Sequence, residues 1–173
     1  MVYRNPWISV REDRVIRPDG GEGIYGVVDL RPSVFIVALT DAMEVVLVHL
    51  FRYPTGRPSW EVPAGGSEGQ DLREAAEREL REEAGLAAGR CEEIGWFESL
   101  NGVANARCHV FLARELTPIE DHGQDEEGIT EVRAFPFPDL RRMILAGEIR
   151  DGETLSCLML AETWLRGAEG LTF

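Results

Sequence analysis

Glu79 and Glu83 stand one helical turn apart, with Glu82 between them. Side chains at i and i+4 of a helix project toward one point, so two carboxylates in that arrangement suit a hard divalent cation. Wound at about 100° per residue, the surrounding stretch puts Leu72, Ala75, Ala76 and Leu80 on one stripe, with Glu79 and Glu83 in its middle and Glu82 at its border. An ionised carboxylate buried without a partner loses much of its hydration energy, so something must compensate the pair. The plain alternative is a helix packed only at its margins, its glutamates in water. The turn Pro63-Ala64-Gly65-Gly66 just upstream favours the cation, because it brings free backbone groups beside the acids.

The element that must carry these acids is bounded by its own signals. Asp71 is a good N-cap with Glu74 at the capping-box spacing, and Gly85 is placed to close a helix in the left-handed conformation. These signals predict a helix from about Leu72 to Ala84. Arg73, Glu74, Glu77 and Arg81 fall on its far side, where Glu74/Arg78 and Glu77/Arg81 have the favourable i,i+4 order.

At these residues the chain resembles the Nudix hydrolases, whose box reads G-x-x-x-x-x-E-x-x-x-x-x-x-x-R-E-apolar-x-E-E-x-G-apolar. The second half is complete here, from Arg78 through Glu79, Glu82, Glu83 and Gly85 to Leu86. In the first half the leading Glu falls on Gln70, and the run from Gly65 is one residue short, with Glu68 and Asp71 as acids that could stand in. The resemblance implies that the Ala64 carbonyl and the carboxylates of Glu79 and Glu83 bind Mg²⁺ or Mn²⁺, and that Glu82 adds a metal or water contact.

The rest of the chain gives the setting. Its 173 residues, 44% of them hydrophobic, suffice for one domain with a full core. A net charge of -13 argues against nucleic acid or an anionic membrane as partner, and no apolar run approaches a membrane span. Cys91, Cys108 and Cys157 lack CxxC spacing and the N-terminus lacks a signal-peptide core, so a reduced cytoplasm is expected. Trp7 to Val15 and Ile24 to Leu30 read as an N-terminal hairpin around the turn Arg17 to Gly21; Ser33 to Leu39 and Glu44 to Leu50 read as a more buried one. Trp60 to Pro63 reads as a short strand feeding the turn. Strands from Glu93 to Ser99 and Arg107 to Ala113 follow, joined through Asn101-Gly102, with His109 read as a packed or hydrogen-bonded residue. The acidic run Ile119 to Gly128 reads as a solvated loop. A strand from Ile129 to Phe135 precedes helices from Pro138 to Ala146 and from Glu153 to Arg166, the last with Leu155, Leu158, Met159 and Trp164 in the core. This order gives an α+β domain.

Over nearly its whole length the chain is similar to the ADP-ribose pyrophosphatase branch of the Nudix group. The shared features are an N-terminal strand module, Leu50-Phe51-Arg52-Tyr53-Pro54, Trp60-Glu61-Val62-Pro63-Ala64-Gly65-Gly66, and the tail Ala146 to Leu155. The branch implies an α/β/α sandwich on a mixed sheet and an N-terminal antiparallel module over 1–30 that pairs two copies into a homodimer. Residues 31–173 would form the hydrolase domain. The implied reaction is hydrolysis of a nucleoside diphosphate sugar, with AMP and ribose 5-phosphate as products from ADP-ribose. Arg52 is then a bidentate phosphate donor instead of a surface cation stacked on Tyr53. Glu61 is either a structural or a site acid, and Gly65 and Gly66 offer backbone to the substrate. Glu126 or Glu127 orients or deprotonates the attacking water. Trp7 stacks on a base or belongs to an interface. Leu100-Asn101-Gly102 and Ala106 stand where the branch commonly has Ser-Pro-Gly and an acid, which keeps other substrates such as FAD or GDP-mannose, or a non-cleaving sensor, in view.

Overall fold

The computed structural model describes residues 1–120 and 122–171; Asp121 of the acidic run and the final Thr172 and Phe173 of the 31–173 unit lie outside the described residues. The chain begins with strands β1 (Tyr3–Arg4), β2 (Ile8–Ile16), β3 (Glu22–Leu30), β4 (Ser33–Leu39) and β5 (Glu44–Arg52). After a short 3₁₀ turn come β6 (Arg57–Glu61), β7 (Ala64–Gly66), helix α1 (Leu72–Ala84), β8 (Leu86–Glu98), β9 (Ala104–Asn105) and β10 (Arg107–Pro118). Helix α2 (Gln124–Glu127), β11 (Ile129–Pro136), α3 (Phe137–Ala146) and α4 (Gly152–Glu169) complete it.

The larger sheet runs in the order β11-β5-β4-β10-β8. It is mixed, because β4 and β10 are parallel while the other neighbours are antiparallel. Period-two alternation along β4 decides what covers each face. Val34, Ile36 and Ala38 meet Ala75, Ala76, Leu80 and Ala84 of α1. Val37 and Leu39 point the other way, onto Leu140 and Met143 of α3 and Cys157, Leu158 and Leu165 of α4. The result is the α/β/α sandwich that the resemblance implied. The smaller sheet, β1-β2-β3, is antiparallel, and β9 joins its edge in parallel at Val28/Ala104.

One irregularity positions the site. β4 and β5 pair only at Ala38/Val46 and Leu39/Val45, and then diverge. β6 takes the vacated edge of β5 from Val48/Glu61 onward, and β7 takes that of β4 from Phe35/Ala64. The wedge between two strands therefore holds Glu61 to Gly66, so the expected strand at Trp60 to Pro63 ends at Glu61, and three more residues pair separately with β4.

Other expectations are adjusted. β8 and β10 are longer than read, because one antiparallel ladder runs from Arg107/Glu98 to Pro118/Leu86 with a bulge at Val110/Phe111. The acidic run contains the helical turn α2, with Gly123 N–H donating to the Glu82 carbonyl at 3.1 Å, so it is pinned to α1. On α4 the packed positions are Thr154, Cys157, Leu158, Ala161 and Leu165; Met159 lies off that stripe and is 67% exposed, contrary to its core reading. His109 pairs with Glu93 at 2.7 Å, as a hydrogen-bonded residue should.

Candidate active site

α1 begins and ends where its signals put it. The Asp71 carboxylate accepts from the N–H groups of Arg73 (2.9 Å) and Glu74 (3.3 Å), and Gly85 at φ +66° donates back to Arg81. Fixed ends hold the phase of the helix, so its apolar stripe and the two acids turn together toward the sheet. Glu79 and Glu83 are buried, 7% and 6% exposed. Glu83 Oε2 accepts from the Ala64 N–H at 2.8 Å, and Glu79 pairs with Arg78 at 2.9 Å.

Those contacts do not compensate the burial. Desolvation pushes the Glu79 carboxyl up to about 7 against the pull of Arg78, with the charges of Glu82 and Glu127 adding to the rise. Glu83 is pushed up to about 8 by burial, against the Ala64 N–H, and Glu79 reinforces it. Without a cation the pair therefore holds protons near neutral pH that an exposed glutamate has already released.

Arg78, read from its sequence spacing as an outward partner of Glu74, turns inward. It pairs with Glu79 and with Glu82 (3.0 Å) and donates to the Gly66 carbonyl at 3.0 Å, bracing acids and loop together. The surface pair on α1 is Arg73 with Glu77 at 2.9 Å.

Among the described residues Arg52 makes no cation–π contact with Tyr53. Its Nε and Nη2 donate to the buried Glu61 carboxylate, the latter at 2.5 Å, and this bond holds the guanidinium firmly protonated. Glu61 thus orients Arg52.

A cleft of about 670 Å³ opens in front of these groups. Arg52, Ala64, Gly65, Gly66, Glu79 and Glu83 line it; Trp7, from the N-terminal strands, lines it as well and is 75% exposed. A β-carbon on Gly65 would collide with the Glu79 carboxylate, so the loop approaches the acid as only glycine permits. Of the loop acids, Glu127 lines the cleft and Glu126 does not. Glu68 also lines it, in a left-handed backbone at φ +53°, whereas Asp71 is consumed as the helix cap and Gln70 is exposed. Arg31, Ser99, Cys108 and Glu153 line the cleft too and went unread in the sequence, because no local pattern distinguishes them from surface or core residues.

Among the described residues no three His, Cys, Asp or Glu side chains converge into a finished metal cage. The donor set nevertheless fits a hard divalent cation. Such a cation is commonly held by one or two carboxylates plus substrate phosphates and waters, and the two buried acids carry the charge it would neutralise.

Comparison with known proteins bears on this arrangement. The NUDIX domain family model matches residues 29–158, and that of the nucleoside diphosphate sugar hydrolase N-terminal domain matches residues 1–28. The chain is 31% identical to the ADP-ribose pyrophosphatase of Bacillus subtilis (strain 168), over 88% of this chain and 84% of that one. It is 32% identical to the ADP-ribose pyrophosphatase of Mycobacterium tuberculosis, over 82% and 70% of the two chains. Among solved structures, a crystal structure of an ADP compounds hydrolase superposes with a TM-score of 0.85 at 21% identity, covering 98% of this chain and 92% of that one.

Proposed function

Because the chain belongs to the Nudix family and is a Nudix pyrophosphohydrolase, we propose that it cleaves a nucleoside diphosphate sugar, with ADP-ribose split into AMP and ribose 5-phosphate, in a reaction that needs a divalent cation. The observation that carries this reading is the pair of buried carboxyl groups, Glu79 and Glu83, lining one cleft with Arg52 and Trp7. The names of two relatives, both ADP-ribose pyrophosphatases, support the choice of sugar nucleotide.

Glu79, Glu83 and Glu82, with the Ala64 carbonyl, would hold Mg²⁺ or Mn²⁺ in this reading. The bound cation supplies charge neutralisation for the diphosphate and lowers the pKa of a water molecule. Glu61 occupies the Nε and Nη2 side of Arg52 and leaves Nη1 for a phosphate oxygen. Gly65 and Gly66 let the phosphate chain approach the backbone closely. Glu127, which lines the cleft, would orient the water and accept its proton as the bridging P–O bond breaks. Trp7 supplies a flat face for the base. The module over 1–30 serves as the dimerisation segment, and the net charge of -13 supports a small-molecule partner over nucleic acid or an anionic membrane. Among the described residues no helix is long and apolar enough to cross a membrane, and Cys91, Cys108 and Cys157 are free and buried, in keeping with a cytoplasmic setting.

The test is phosphate release after coupling to a phosphatase, with Mg²⁺ or with EDTA, over ADP-ribose, other ADP-sugars, GDP-mannose and FAD. Turnover of ADP-ribose that EDTA abolishes is expected. Turnover of only another member reassigns the substrate, and binding without turnover at every metal concentration identifies a sensor.

A further inference from the structure

Three consecutive residues of the loop in the wedge are each held by a different element. The Val62 N–H donates to Thr154 Oγ1 at 3.2 Å, the Pro63 carbonyl accepts from Ile36 N–H of β4 at 2.8 Å, and the Ala64 N–H donates to Glu83 of α1 at 2.8 Å. The second and third bonds grip the two ends of a single peptide group, Pro63–Ala64. Thr154 lies on the first turn of α4, fully buried, and its own N–H is capped by Asp151 Oδ2 at 2.7 Å. Nothing in the hydrolytic reading uses this hydroxyl.

We propose that Thr154 is a positioning residue for the hydrolytic site: through Val62 its hydroxyl sets the path by which the chain enters the Pro63–Ala64 peptide, and so the place of Ala64 against Glu83. The physical link is short. The pyrrolidine ring locks φ of Pro63, so an orientation imposed at Val62 passes to Ala64 through few soft dihedrals. Removing the acceptor would leave a buried N–H unsatisfied, and the loop would have to shift to rehydrate it. The cap on α4 makes the anchor rigid, because Asp151 fixes the turn from which Thr154 reaches out. The third layer of the sandwich thereby takes part in shaping a site built on the opposite helix.

This inference rests on the hydrolase reading for its kinetic arm and on geometry alone for its second arm. Thr154→Val keeps the shape and deletes the acceptor, and Thr154→Ser keeps the hydroxyl. With whichever substrate of the panel turns over, Thr154→Val is expected to lower kcat by about 10- to 100-fold, the range for partners that orient a ligand-bearing group. KM should stay within about threefold, and Thr154→Ser should recover kcat to within about threefold of the parent. In the metal-free protein, NMR hydrogen exchange of the Ala64 amide should be at least about tenfold faster in Thr154→Val and near the parent rate in Thr154→Ser. Should Thr154→Val fail to fold, Thr154→Ala carries the same comparison. Parent-like kcat and Ala64 exchange in the valine variant, or a serine variant as impaired as the valine one, would overturn the proposal. If the parent turns over nothing in the panel, the hydrolase reading fails by itself and Ala64 exchange alone decides the positioning role.

Discussion

Glu79 and Glu83 put the hydrolytic charge where folding would not choose it. Their raised values, about 7 and about 8 against roughly 4.3 for an ordinary glutamate, mean that the cation-free native state holds protons the unfolded chain has already released. The stability they contribute is therefore complete below about pH 4 and is lost as pH rises through 7 and 8. In EDTA the thermal midpoint should fall between pH 5 and pH 8.5, and Mg²⁺ should flatten the fall; a midpoint that climbs over that interval contradicts the assignment. Glu83→Gln, which keeps an acceptor for the Ala64 N–H, should melt higher than the parent in EDTA at pH 8 while losing at least about a hundredfold in kcat. Gly65→Ala pushes a methyl into the Glu79 carboxylate, and displacing that group should lower kcat by about a hundredfold, read against a far smaller shift in melting temperature. The acids were legible in the sequence because their spacing clashes with the apolar stripe. The inward turn of Arg78 was not, since helical spacing alone allows it either partner.

Helix α1 was readable to its last residue because both ends carry side-chain or glycine stops, Asp71 and Gly85. The caps also predict their own energetics. Asp71→Ala should cost about 1 kcal/mol, visible as a drop of about 2–4 °C in thermal denaturation. If α1 holds its phase without the cap, the midpoint will not move. The elements that escaped prediction lack such local stops. β7 exists only because β4 and β5 separate and leave an edge for Ala64 to Gly66, a tertiary cause with no local pattern. The turn α2 was hidden in an acidic run whose composition favours solvation, and it forms because Gly123 docks on Glu82. Met159 was misassigned because its neighbours Leu158 and Leu160 make the helix look apolar all round.

At the scale of the whole molecule the cleft draws its lining from distant parts of the chain, Trp7 from the N-terminal strands and Glu79 and Glu83 from α1. Trp7→Ala should therefore raise KM by about tenfold with a smaller change in kcat, the signature of lost substrate binding. Light scattering with size exclusion should give about twice the 19.3 kDa of one chain, and deletion of residues 1–30 should return it to a single copy. The order of strand and helix patterns led to an α+β domain and the family resemblance to the sandwich, whereas the parallel docking of β9 on β3 was not foreseeable, because two residues carry no periodicity. The divergence of β4 from β5 reaches further than placing a loop. Among the described residues two pairs join β5 directly to β4, so the ladder of the larger sheet is shortest at that boundary. A diphosphate gripped by Arg52 of β5 and by the acids of α1, which covers β4 and β5 alike, would add a stitch across that boundary and should slow amide exchange on both sides of it.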